Sequence, residues 1–104
     1  MADWYILGGA DGYTPIPASI EQWAAWASKG GDDIKRVALT QIGDATVSTV
    51  FLGLNHNHGD GPAVLFETMI FGGKNDDFTD RCSTWRQAEK MHEDACAKVR
   101  GTHS

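Results

Sequence analysis

The sequence predicts an α+β domain: a four-stranded, mainly antiparallel sheet with two helices on one face, in the order β-α-β-β-β-α. Three observations lead there. Residues 46–71, TVSTVFLGLNHNHGDGPAVLFETMIF, are two runs of β-branched and aromatic residues around a loop of turn formers at 55–62. Gly43-Asp44 suits a two-residue hairpin turn and ties the first of these strands to another apolar run at 35–42. Ser19-Ile20-Glu21-Gln22 and Thr84-Trp85-Arg86-Gln87 are capping boxes, each opening an amphipathic stretch.

Trp4, Tyr5, Ile6 and Leu7 form the first strand, ended by Gly8-Gly9. Residues 10–17, ADGYTPIP, are turn chemistry, and their prolines forbid a helix. After Ser19, the residues Ile20, Trp23, Trp26 and Ala27 make one apolar stripe, which Lys29-Gly30-Gly31 stops. The strand at 35–42 then sets Val37 beside Val50, Ala38 beside Thr49 and Leu39 beside Ser48. Symmetric pairing about the 55–62 loop puts Thr49 opposite Thr68, Val50 opposite Glu67 and Phe51 opposite Phe66. A polar connector at 72–78 leads to the last helix, which runs to about Arg100. Its apolar stripe is Trp85, Ala88, His92, Ala95, Cys96 and Val99.

Side chains alternate along strands, so Leu39, Val50, Glu67 and Met69 share one face. Arg36, Ala38, Thr40, Thr49, Phe51, Phe66, Thr68 and Ile70 share the other. Both faces are mostly apolar. Two helices cover one of them, expected to be the Glu67 face. The Phe51/Phe66 face is then left with more apolar surface than a monomer tolerates, and a homo-oligomer is expected to bury it. The 104 residues suit a single domain over 1–104. A net charge of −5 argues against a nucleic-acid polymer as partner. No run approaches the ~18 apolar residues of a membrane span, and MADWYILGG lacks the marks of an export signal. A cytoplasmic protein is expected, with no membrane partner. Cys82 and Cys96 have no metal-type spacing and read as free thiols.

Three groups of polar residues are candidates for chemistry. His92 falls in the middle of a helix stripe and Glu67 in the middle of a sheet face. If that helix packs on that face, an imidazole and a carboxylate are buried together and must pair, either as a structural bond or as an oriented general base. Asn55-His56-Asn57-His58-Gly59-Asp60 places two histidines two apart near a carboxylate. No third ligand has the spacing for it, so no metal and no cofactor are expected, and His56, nearer the strand end, is favoured over His58. Arg36, Thr40, Thr49 and Thr68 put an arginine and hydroxyls on one face, the groups that hold a phosphate. Thr84 and Trp85, with Arg81 just before them, offer an anion-friendly helix start.

VSTVFLGLNHNHGDGPAVLFETMIFGG and RCSTWRQAEKMH resemble a widespread family of small, uncharacterised phage and prophage proteins, and the likeness extends from about Trp4 to Val99. The family pattern maps onto Thr49, His56, Glu67, Thr68, Thr84, Trp85 and His92. This chain departs from it with Asn55 for an aspartate, Cys82 for a tyrosine and Met91 for a glycine. The resemblance implies a phage origin and a host-cell cytoplasmic setting. By analogy with small oligomeric phage proteins that counter host immunity, the expected function is binding of a nucleotide-like signal of antiviral defence. In a cleaving version His92 or His56 is the acid/base, Glu67 orients a histidine, and Arg36, Asn55, Thr49, Thr68, Thr84 and Trp85 hold the ligand. The alternative is a non-enzymatic interaction protein that binds a protein partner through an exposed sheet face. Concavity separates the two: a closed pocket lined by Glu67, Thr68, Trp85 and His92 favours the ligand, a flat face the partner.

Overall fold

The computed structural model describes residues 3–30, 35–57 and 59–101. Its elements are β1 (Trp4–Gly8), β2 (Thr14–Ala18), α1 (Ile20–Gly30), β3 (Arg36–Ile42), β4 (Ala45–Phe51), β5 (Phe66–Phe71), β6 (Thr79–Cys82) and α2 (Trp85–Gly101). The class is α+β, and the main sheet is a four-stranded antiparallel meander in the order β3-β4-β5-β6. The expected order holds, with β2 and β6 added to it. Membership of the sheet differs from expectation: β6 supplies the fourth strand, and β1 pairs with β2 in a separate hairpin.

Prolines do not prevent β2 from forming. Pro15 lies opposite Leu7 and Pro17 opposite Tyr5, two residues apart, so both missing N–H groups fall on the same, outward side of an edge strand. The five-residue tip is tied by Asp11, whose Oδ1 accepts from the Tyr13 N–H at 2.8 Å and the Thr14 hydroxyl at 3.2 Å. On its other side β1 meets the chain leaving β4. The Tyr5 N–H donates to Gly53 O at 2.7 Å, and Trp4 pairs with Leu54. Gly53 makes that bend possible, with φ of +79° and a Cβ position that the Trp23 indole nitrogen already fills.

The registers of β4 on β5 are those that symmetric pairing about the 55–62 loop predicts: Thr49 with Thr68, Val50 with Glu67, Phe51 with Phe66. Leu39 pairs with Ser48 and Ala38 with Thr49, and the Gly43-Asp44 turn joins Ile42 to Ala45. Beyond Ala38 a β-bulge inserts Val37, so Arg36 stands opposite Val50. The expected Val37–Val50 neighbours and the place of Arg36 on the Thr49/Thr68 face are both corrected by that one extra residue.

The larger correction concerns the faces. α2 lies on the Thr49/Thr68 side, where Val47, Thr49, Phe51, Phe66, Thr68 and Ile70 are each 0–1% exposed. Its buried stripe is Ala88, Met91, His92, Ala95, Cys96 and Val99. Trp26 of α1 packs edge-on against Phe51 at 5.7 Å on the same side. The opposite face, with Glu67, is open. Burial favours this choice: the covered face presents two phenylalanines and no ionisable side chain on β4 and β5, whereas the open one would bury Glu67. Phe66 therefore belongs to the core of one subunit and is not available for assembly.

Candidate functional site

His92 sits at the centre of the α2 contact and is bonded at both ring nitrogens. Thr49 Oγ1 lies 2.7 Å from Nδ1, Thr40 Oγ1 lies 2.8 Å from Nε2, and Thr68 Oγ1 lies 2.5 Å from Thr49 Oγ1. Four residues from three strands and a helix make one chain of hydrogen bonds. Thr49 and Thr68 are fully buried and His92 is 7% exposed. Burial holds the His92 imidazole below its ordinary pKa, with the Glu93 carboxylate opposing weakly, so the ring is neutral.

A neutral imidazole has one N–H and one lone pair, so the chain must run in one direction. If Nδ1 carried the proton, Thr49 would donate to Thr68, and the Thr68 hydroxyl hydrogen would be stranded in the core. In the reverse sense Thr68 donates to Thr49, Thr49 donates to Nδ1, and Nε2–H donates to Thr40. The last hydroxyl hydrogen then emerges at Thr40, which is only half-buried. The second arrangement leaves no buried hydrogen unpaired, and the geometry selects the Nε2–H tautomer. Such an imidazole has neither a lone pair nor a proton to offer a substrate.

Glu67 is on the other side of the sheet, and its expected bond to His92 does not exist. Its Oε2 accepts from Arg81 Nε at 2.9 Å, across the β5–β6 pair. The reason is the two-residue period of β5: Thr68 points at α2, so its neighbour Glu67 points away. Arg36 joins Glu67 on that open face, beside Lys35 and Ser48 in a shallow hollow of about 400 Å³. It is not grouped with Thr49 and Thr68.

The 55–62 loop is held by its own amides. Asn55 Oδ1 accepts from the N–H groups of Asn57 at 2.8 Å and Val64 at 2.9 Å, and the Asn57 amide donates to Asp60 O and Pro62 O. An aspartate at position 55 would accept the same two bonds, so the side chain there shapes the loop. His56 is exposed, its backbone N–H donating to Val64 O at 3.0 Å. His58 lies outside the described residues. Among those that are described, no three His, Cys, Asp or Glu side chains converge as metal ligands would.

Thr84 caps α2 as its sequence predicts. Its Oγ1 accepts from the Gln87 N–H at 3.1 Å, while Gln87 Oε1 accepts from the N–H groups of Ser83 and Thr84. Trp85 stands edge-on to Phe66 on one side and stacks on Tyr13, ring centres 4.5 Å apart, on the other. Tyr13 comes from the β1–β2 tip and is half exposed; only the folding of that hairpin against α2 identifies it. Together with Asp11, Pro15, Thr84 and Arg86, the pair lines a cleft of about 560 Å³. Asp11 stays ionised there, its carboxyl lowered chiefly by the Tyr13 backbone N–H. Cys82 and Cys96 are free thiols, and burial pushes the Cys82 thiol up to about 11, which keeps it protonated and unreactive.

The expected site residues are thus spread over four places: the Thr40–His92–Thr49–Thr68 core network, the Glu67–Arg81 open face with Arg36, the Asn55–His56 loop, and the Trp85 cleft. Thr40 carried a signal in register, since it shares the sheet face of Thr49 and Thr68, whereas Arg81 carried none, because no local pattern marks 79–82 as a strand. Among the described residues no helix is long and apolar enough to cross a membrane. Compared with known proteins, the chain matches no family model, no curated protein and no solved structure.

Proposed function

We propose that this chain is a non-enzymatic binding protein that engages a protein partner through the open face of its main sheet. One observation carries the reading: the polar residues best suited to catalysis are used up inside the core, while Leu39 and Phe71 stand 52% and 48% exposed on the open face. Met69 lies between them with the smaller Thr46 and Ser48, all half-buried, and Arg36, Glu67 and Arg81 form a charged row, with Val50 inside it, across one end. An apolar centre with charges at its margin is the composition of an interface, the centre supplying affinity and the charges supplying register. The resemblance to phage and prophage proteins supports a host protein as the occupant. The test is retention of a host protein from a bacterial lysate by immobilised wild type and by Phe71→Lys. A partner held by both, with the variant folded, removes the open face from the mechanism. A partner lost only with Phe71→Lys is the expected result.

A second reading rests on the cleft at Tyr13 and Trp85. An aromatic stack of exposed Tyr13 on half-buried Trp85, beside Arg86 and the start of α2, suits a nucleotide-like ligand, and such a ligand fits the same phage setting as a captured signal of host defence. Incubation with cyclic nucleotides and ADP-ribose derivatives, with chromatography before and after heat denaturation, tests it. Depletion that is reversed by heating and absent in Tyr13→Ala supports capture in the cleft. No depletion with wild type rejects it.

A further inference from the structure

We infer that the β3 edge of the main sheet pairs, antiparallel and about a twofold axis, with β3 of a second copy of this chain. The sheet has two edges, and they are unlike. β6 is four residues long and carries Asp80 and Arg81, and its outward N–H at Arg81 is already taken by Asp80 Oδ1 at 2.9 Å. Short length, charge and a side-chain cap are the devices by which an edge is closed to further strands. β3 has a bulge at its Arg36 end, but Val37-Ala38-Leu39-Thr40-Gln41-Ile42 contains no charge, no proline and no glycine. Its middle is a free template.

The turn tells which groups are on offer. A two-residue hairpin loop makes Ile42 and Ala45 a hydrogen-bonded pair. Alternation then turns the N–H and C=O of Thr40 toward β4 and those of Leu39 and Gln41 outward. Leu39 and Gln41 are both exposed, and no described group closes these outward bonds. Two copies running antiparallel exchange bonds through these residues. Basic Lys35-Arg36 opens the strand and acidic Asp44 follows it, so the antiparallel sense brings opposite charges together at both ends of the pair. A parallel neighbour would set like beside like. Pairing also brings the two Leu39 side chains together on the open face, which continues unbroken across eight strands. A second copy thus satisfies the edge in hydrogen bonds, charge and apolar contact.

Sedimentation equilibrium from micromolar to millimolar concentration, with amide exchange measured by NMR at both ends of that range, tests the pairing. A dimer is expected, in which the Leu39 and Gln41 amides exchange about tenfold or more slowly than in the dilute protein. The Thr40 amide, bonded within the subunit, should be protected at both concentrations. Leu39→Pro removes only an outward N–H, which an edge strand tolerates, and should give a folded monomer. Phe71→Lys, on the open face away from the edge, should remain a dimer, so failure here and failure of the open-face reading are distinguishable. A wild type that is monomeric throughout overturns the inference. So does a dimer whose Leu39 and Gln41 amides stay unprotected, or one that Phe71→Lys breaks and Leu39→Pro does not. Should Leu39→Pro fail to fold, the wild-type amide exchange decides by itself.

Discussion

Thr49→Val removes one oxygen from the middle of the buried network while keeping the shape of the side chain. Two groups lose their partner at once: Nδ1 of His92, 2.7 Å from the deleted hydroxyl, and the Thr68 hydroxyl, 2.5 Å from it. With about 1–3 kcal/mol for each of the two buried polar groups left unsatisfied, the expected cost is about 2–6 kcal/mol. For a domain of this size that is a fall of roughly 10–30 °C in Tm. Replacing the layer together, Thr49→Val with Thr68→Val and His92→Leu, leaves no orphan and should recover much of the loss. The network also sets the acid limit of stability. The unfolded chain binds a proton at His92 near the ordinary value of about 6.5, whereas the folded chain, with the pKa lowered by burial, binds it only at more acid pH. Between these values the unfolded state holds more protons, so stability rises with pH. The His92 contribution is complete above about pH 6.5 and is lost as pH falls through that value toward the lower, folded one. Urea unfolding of all three proteins across this window gives both quantities. A Thr49→Val variant within about 0.5 kcal/mol of wild type would refute the reasoning. A triple variant that keeps the same acid loss would show that His92 is not its source.

Gly53→Ala forces a Cβ into the Trp23 indole at a positive φ, and should cost at least about 2 kcal/mol with a change in tryptophan emission, read together in one fluorescence-monitored unfolding curve. Glu67→Gln weakens only a partly exposed ion pair with Arg81, whose side chain is 48% exposed. It should cost about 1 kcal/mol or less and leave the His92 NMR titration unmoved; a shifted His92 titration would mean the two do communicate through the sheet. Asn55→Asp keeps both accepted bonds in the loop and should lie within about 0.5 kcal/mol of wild type, whereas Asn55→Ala strands the Asn57 and Val64 N–H groups and should cost about 1–2 kcal/mol in the same unfolding assay.

What the sequence by itself determined is everything set by local periodicity. Symmetric pairing about the 55–62 loop placed Thr49 opposite Thr68 and Glu67 opposite Val50, and the two-residue period of strands assigned their faces. The capping chemistry of Ser19 and Thr84 started both helices, and Gly43-Asp44 set the hairpin. Alternation also put Thr49, Thr68 and Thr40 on one layer, and helical spacing put His92 in the stripe that meets it. Tertiary structure decided which face that stripe would meet. Each face of the meander is apolar enough to receive a helix; Glu67 weighs against its own face, but the sum of contacts, with Glu67 left in reach of water and Arg81, makes the choice. The same is true of the fourth strand. Thr79-Asp80-Arg81-Cys82 has no apolar alternation and becomes β6 because β5 offers it an edge, while β1, the better strand by composition, is drawn away by Thr14–Ala18 and the bend at Gly53. A strand's existence can follow from its own residues, but its neighbour is set by hydrogen-bond partners distant in sequence, and so is the place of every side chain that depends on that neighbour.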